Sequence, residues 1–162
     1  MPATEETEEI HASAVAYEDR GLLILGPSGS GKTTLALELM AFGVELVADD
    51  RVQLSHVHGH GMVAAAPPAL RGLIELRGAG ILRHPYRSEA VLLCAINLGR
   101  AAAGRMPQQG TIEIGGTTLP CLAGMPAAGP AAIMAVLRAG RLPDPMFALH
   151  PVAEGQGVAR HG

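Results

Sequence analysis

Eight consecutive residues, Gly26-Pro27-Ser28-Gly29-Ser30-Gly31-Lys32-Thr33, fit the pattern G-x-x-x-x-G-K-[ST] in full. The glycines let backbone N–H groups turn inward around an anion. A helix starting at Lys32 adds the partial positive charge of its N-terminus. In such a loop the lysine reaches the β- and γ-phosphates of a nucleotide, and the hydroxyl, here Thr33, is offered to Mg²⁺. Of the 12 basic residues, 11 are arginine, and Lys32 is the single lysine. A compact ammonium on a flexible stem suits a place between terminal phosphates; a broad planar guanidinium does not.

Downstream, "VADD" places Asp49 and Asp50 side by side at the end of an apolar stretch. Alternation along a strand makes the two carboxylates diverge. One can then serve a metal while the other faces an incoming hydroxyl, the two functions that phosphoryl transfer to an alcohol requires. A solvated turn is the plainer reading of Asp-Asp in isolation, and the phosphate loop ahead of it favours the functional one. "IELRG" sets Glu75 and Arg77 two apart, on one strand face. They suit a second metal carboxylate beside a phosphate-binding arginine, or simple solvent exposure. Arg105 stands alone in a Gly-, Gln- and Ala-rich stretch. His56, His58 and His60 alternate in "HVHGH", and zinc ligation needs further ligands that are not fixed nearby. A solvated hairpin tip is expected there.

The elements that must position these groups follow from the apolar pattern. "HASAVAYEDRGLLILG" reads as a hairpin whose second strand feeds the loop at Gly26. From Lys32 to Phe42, Leu35, Leu39 and Phe42 fall on one helical stripe, with Gly43 suited to stop it. Strands are expected at Val44–Ala48, in "RVQLS", at Leu73–Arg77 and at Ala90–Leu98, with two short ones, Thr111–Ile114 and Thr117–Leu122, around Gly115-Gly116. A helix is expected over Gly129–Arg138, a loop over 100–110, a flexible acidic tail over 1–10 and an irregular C-terminal tail over 141–162. Residues 11–140 are expected to form one α/β domain.

Composition narrows the partners. Two Phe, two Tyr and no Trp leave little to stack single-stranded bases, and a net charge of −3 does not suit a phosphate-backbone binder. No apolar run is long enough to span a membrane. Cys94 and Cys121 make no disulfide framework, and reduced thiols in a cytoplasmic protein are expected.

In combination, His11, "GPSGSGKT", "ALELMAFGVELVADD", "APPALRGLIELRGAGI" and, more weakly, Arg105 in "GRMP" resemble the HPr kinase/phosphorylase family. The "IELRGAGI" segment after an Asp-Asp pair is the specific part of that resemblance. It implies a P-loop kinase domain of the HPr kinase and PEP carboxykinase-like type, a mixed sheet with a Walker A loop feeding a helix. It implies ATP and Mg²⁺, an HPr-like phosphocarrier protein as acceptor, a regulatory role in carbon and nitrogen metabolism, and a homo-oligomer, a hexamer in the family. By the same resemblance Lys32 binds ATP phosphates, Thr33 takes the place of a Mg²⁺-binding serine, Glu75 is a magnesium ligand and Asp50 is the proton acceptor. His11 and Arg105 match catalytic positions, with His11 suited to hold an aspartate by hydrogen bonding. The chain looks like the short alphaproteobacterial-type form, without the N-terminal domain of the long members. The long members also carry an arginine-bearing loop tied to the reverse reaction; from Leu119 to Val136 this chain has no Lys, Arg or His. A kinase with little phosphorylase activity is therefore expected. A small-molecule P-loop kinase and a non-catalytic nucleotide switch are the rival readings.

Overall fold

A computed structural model of the chain describes residues 7–99, 109–122 and 129–143. Its centre is the strand β3 (Arg20–Leu25), which runs antiparallel to β2 (Ser13–Tyr17) and parallel to β9 (Ala90–Asn97). The turn between β2 and β3 falls where Glu18-Asp19 break the apolar pattern, and Glu18 takes a positive φ of 52° there. β4 (Glu45–Ala48) closes one edge beside β2. On the other side β9 pairs with β6 (Gly61–Ala65), β6 with β5 (Arg51–Val57) and β5 with β1 (Thr7–His11). β11 (Thr117–Leu122) also joins β9, in parallel, and forms a hairpin with β10 (Gln109–Ile114). The result is a curled, mixed nine-stranded sheet. A separate hairpin, β7 (Leu73–Leu76) with β8 (Gly80–Arg83), stands outside it.

Alternation along the central strands builds two cores. Leu22 and Ile24 face one way and Leu23 the other, as period-2 geometry requires. On the first face lie two helices, α1 (Lys32–Ala41) and α2 (Pro130–Ala139), burying Leu35, Leu39, Ile133 and Leu137 against Ile24, Cys94 and Ile96. On the second face the sheet curls onto itself, so that Val52, Leu54 and Ala64 pack with Ala14, Leu23 and Val47. Small side chains, Ala12, Ala14, Ala16, Ala64 and Ala95, line that second core, which suits a tightly curled sheet.

The expected hairpin, the helices and the strands before Asp49 and at 73–77, 90–98, 111–114 and 117–122 are all present, with ends shifted by one or two residues. Two expectations change, and two strands are added. Thr7–Ile10 are not tail: they pair with Val52–Ser55 as an exposed edge strand. Gln109 and Gly110 belong to β10 rather than to a loop. β6 and β8 lie outside the expected strands: β6 is rich in Gly and Ala, which have low strand propensity, β8 is only four residues long, and pairing with β5, β9 and β7 supplies their register. Most of the C-terminal tail lies outside the described residues. Among the described residues no helix is long and apolar enough to cross a membrane.

Both cysteines are buried thiols. Burial, with a smaller contribution from Cys121, pushes the Cys94 thiol up to about 12, which leaves it protonated and inert near neutral pH.

Leu39 is fully buried between α1 and the sheet, whereas Phe42, at the end of the same stripe, is largely exposed. Leu39→Ala is expected to destabilise by about 2–5 kcal/mol and Phe42→Ala by well under 1 kcal/mol, measured by urea unfolding.

Candidate functional site

The glycine-rich loop leaves the carboxyl end of β3 and enters α1, so the site sits where ligands gather in open α/β sheets, beyond the strand ends. Gly29 and Gly31 adopt positive φ values of 81° and 100°, and a Cβ on either would meet no atom within 4 Å. They are glycines for their backbone conformation, and the space beside them is open. Gly26, at a φ of 153°, has a second reason: its Cβ would lie 2.4 Å from the Ser30 hydroxyl. At the head of α1 the first amide N–H groups have no intrahelical acceptor, and no acidic side chain occupies the first turn.

Lys32 is only 7% exposed. Its Nζ donates to the carbonyls of Gly26 and Pro27 at 2.7 and 3.1 Å. An ammonium has three protons, so this clamp tethers the side chain over the loop with one donor left.

Behind the loop lies Asp49, 5% exposed. Its Oδ1 accepts from Thr33 Oγ1 at 2.9 Å and from Ser13 Oγ at 2.8 Å, and its Oδ2 accepts from the Glu75 backbone N–H at 3.3 Å. Asp50 turns the other way, toward His11, whose Nε2 lies 3.2 Å from Asp50 Oδ1. The carboxylates diverge as expected, but strand alternation is not the cause. β4 ends at Ala48, and Asp50 adopts a left-handed φ of 71° in a three-residue turn closed by Arg51 N–H donating to Asp49 O at 2.9 Å. Ala12 N–H donates to Asp50 O at 3.2 Å and pins that turn beside His11. A non-glycine residue held at positive φ costs energy, and such strain gathers at functional sites.

These groups border one cleft of about 330 Å³, lined by His11, Ser13, Lys32, Thr33, Asp50, Glu75 and Arg77 together with Ser28, Gly29 and Gly31 of the loop. The β7–β8 hairpin delivers Glu75, and Arg77 follows from its turn. The sequence-derived candidates thus converge, with Asp49 behind the wall rather than on it. Arg105 lies outside the described residues. Ser13 carried no motif; its only signal was a lone hydroxyl in the apolar run "HASAVA". The His56–His60 segment forms the β5–β6 turn away from the cleft, with His56 Nδ1 3.0 Å from Thr117 Oγ1. Among the described residues no cluster of three or more His, Cys, Asp or Glu could hold a metal ion.

The donor set fits a nucleotide triphosphate. Ser30 Oγ is buried without a hydrogen-bond partner, a donor left over beside the loop. The open backbone at Gly29 and Gly31 leaves room for phosphate oxygens. Mg²⁺ with a nucleotide is held by one or two carboxylates and the phosphates, not by an all-protein cage. The divided arrangement of Asp49, Thr33 and Glu75 agrees with that.

A family model described as HPr Serine kinase C-terminal domain matches residues 3–90, more than half of the chain. The chain is 44% identical over 77 residues to an HPr kinase/phosphorylase of Lacticaseibacillus casei (strain BL23), covering 48% of this chain and 24% of that protein. To an HPr kinase/phosphorylase of Caldicellulosiruptor bescii it is 47% identical over 72 residues, covering 44% and 23%. The chain spans about a quarter of the length of these curated relatives. Its fold matches the solved Hpr(Ser) kinase/phosphatase from Coxiella burnetii with a TM-score of 0.69 and 24% identity, over 82% of this chain and 95% of the other.

Lys32→Arg is expected to abolish triphosphate binding nearly as fully as Lys32→Ala, because a guanidinium is too broad for the two-carbonyl clamp. Titration of a fluorescent ATP analogue checks this; an arginine variant with undiminished affinity would refute the clamp argument.

Proposed function

The chain belongs to the HPr serine kinase C-terminal domain family, and we propose that it is a Mg·ATP-dependent kinase whose acceptor is a serine of an HPr-like phosphocarrier protein. The observation that carries this reading is the division of labour between the adjacent aspartates. Asp49 is buried and bonded to the loop hydroxyl of Thr33, and Asp50 is exposed at the cleft and paired with His11. A nucleotide switch has no use for the second carboxylate; phosphoryl transfer to a hydroxyl does.

Each residue then has a physical task. Backbone N–H groups of Ser28–Thr33 and the Lys32 ammonium bind the phosphates. Thr33 gives its single proton to Asp49 and turns its lone pairs toward the cleft. Asp49, Thr33 and Glu75 would hold Mg²⁺, which when bound neutralises charge on the β- and γ-phosphates. Asp50 accepts the proton of the acceptor hydroxyl, and His11 orients its carboxylate. Arg77, from the lip of the cleft, and Arg105 balance the charge that develops during transfer. Rate enhancement comes from positioning and electrostatics.

The reaction runs chiefly forward. Attack of inorganic phosphate on phosphoserine brings two anions together, which is costly without added positive charge. Residues 119–136 supply none.

Incubation with γ-labelled ATP and the host's HPr-like protein is expected to label that protein on serine. Label on a small molecule, or released only to water, would overturn the reading. Asp50→Asn is expected to keep Mg·ATP affinity within a few-fold while losing transfer by about 10²-fold or more; retention of transfer would remove Asp50 from its role. Pre-phosphorylated carrier with Mg²⁺ and millimolar phosphate is expected to yield pyrophosphate far more slowly than the forward reaction; comparable rates would show that the reverse reaction has another source of charge.

A further inference from the structure

Resting on the nucleotide reading above, we propose that Ser13 is a positioning residue of the phosphoryl-transfer site, locking the Asp49 carboxylate so that Thr33 presents its oxygen lone pairs to the bound cation. Ser13 is one of three buried polar or charged residues among those described, with Lys32 and Asp49, and its exposure is 0%. It opens β2 between Ala12 and Ala14, both fully buried in the apolar core. A hydroxyl in such surroundings is costly to bury unless it is hydrogen-bonded. Its partner is the Asp49 carboxylate, at 2.8 Å.

The geometry makes this bond the anchor of the carboxylate. The terminal torsion of an aspartate is broad and roughly two-fold, so the carboxylate does not orient itself. The Glu75 amide reaches Oδ2 at a long 3.3 Å. Thr33 reaches Oδ1 at 2.9 Å, but Thr33 is the group to be oriented. The short charge-assisted bond from Ser13 therefore fixes Oδ1. Thr33 has one proton, and it spends that proton on Oδ1 only while Oδ1 stays in place. When the carboxylate swings, the threonine hydroxyl is free to rotate and to point its proton, rather than its lone pairs, at the cleft. Ser13 is fully buried, so its hydroxyl is satisfied by this bond and not by bulk solvent.

A residue that merely filled space would affect binding of the nucleotide with and without the cation equally. Ser13 is expected to affect only the cation. The test is Ser13→Ala, with affinity for a fluorescent ATP analogue titrated at zero Mg²⁺ and across a Mg²⁺ series, and folding checked by circular dichroism. Affinity without Mg²⁺ is expected to stay within about twofold, and the Mg²⁺ concentration for half-maximal tight binding to rise by about tenfold or more, the worth of one bond to a charged group. Ser13→Cys, close in shape and a weak donor, is expected to shift the requirement in the same direction, and it serves if the alanine variant does not fold. An unchanged Mg²⁺ requirement in a folded variant, or parallel loss of affinity with and without Mg²⁺, would overturn the assignment. Failure of the unmutated protein to bind the analogue would instead overturn the nucleotide reading on which it rests.

Discussion

The site depends on one buried carboxylate. Asp49 receives donors from three separate elements: Ser13 at the start of β2, Thr33 in the first turn of α1, and the backbone of Glu75 in β7. A carboxylate sealed from water is tolerated only where its lone pairs are met. Satisfying Asp49 therefore fixes how the phosphate loop, the central sheet and the β7–β8 hairpin stand relative to each other. Those three elements carry most of the named cleft residues, so electrostatic satisfaction in the core and precision at the surface have one cause.

The curl of the sheet provides the setting. Small residues along β2 and β6 let the two halves of the sheet close on each other, and β1 is carried round with β5 until His11 stands beside Asp50. Leu22, Ile24 and Ile96, packed beneath α1, hold the helix N-terminus against the carboxyl end of β3. A helix dipole acts on an anion only near the first turn of the helix. Its use on an anion thus requires this packing to be rigid, and fully buried Leu39 is part of what makes it so.

The left-handed turn at Asp50 sends the two aspartates into different surroundings. One residue faces the interior and the Thr33 hydroxyl; the next faces the cleft, more than half exposed, beside a similarly open histidine. One carboxylate of an adjacent pair thus stands in each environment, and the backbone conformation that does this is one that ordinary residues avoid.

Some of this was legible in the amino-acid order alone. The phosphate loop is local chemistry: glycine conformations, one lysine and the Thr33 hydroxyl beside it within eight residues, so its pattern carries its geometry. The period-2 and 3.6-residue apolar patterns likewise named the β2–β3 hairpin, α1, the strand that ends just before Asp49 and the strand bearing Glu75. What the order could not contain was contact across distance. Ser13 lies 36 positions from Asp49, and its role rests on a single bond across that gap. The edge strand Thr7–His11 has an acidic, exposed sequence, and only pairing with β5 makes it a strand. β6 is rich in glycine and alanine and β8 is only four residues long, and their hydrogen-bonded neighbours give them their conformation. Local stereochemistry is written in neighbouring residues. Burial, register and the partner of a lone hydroxyl exist only once the sheet has closed.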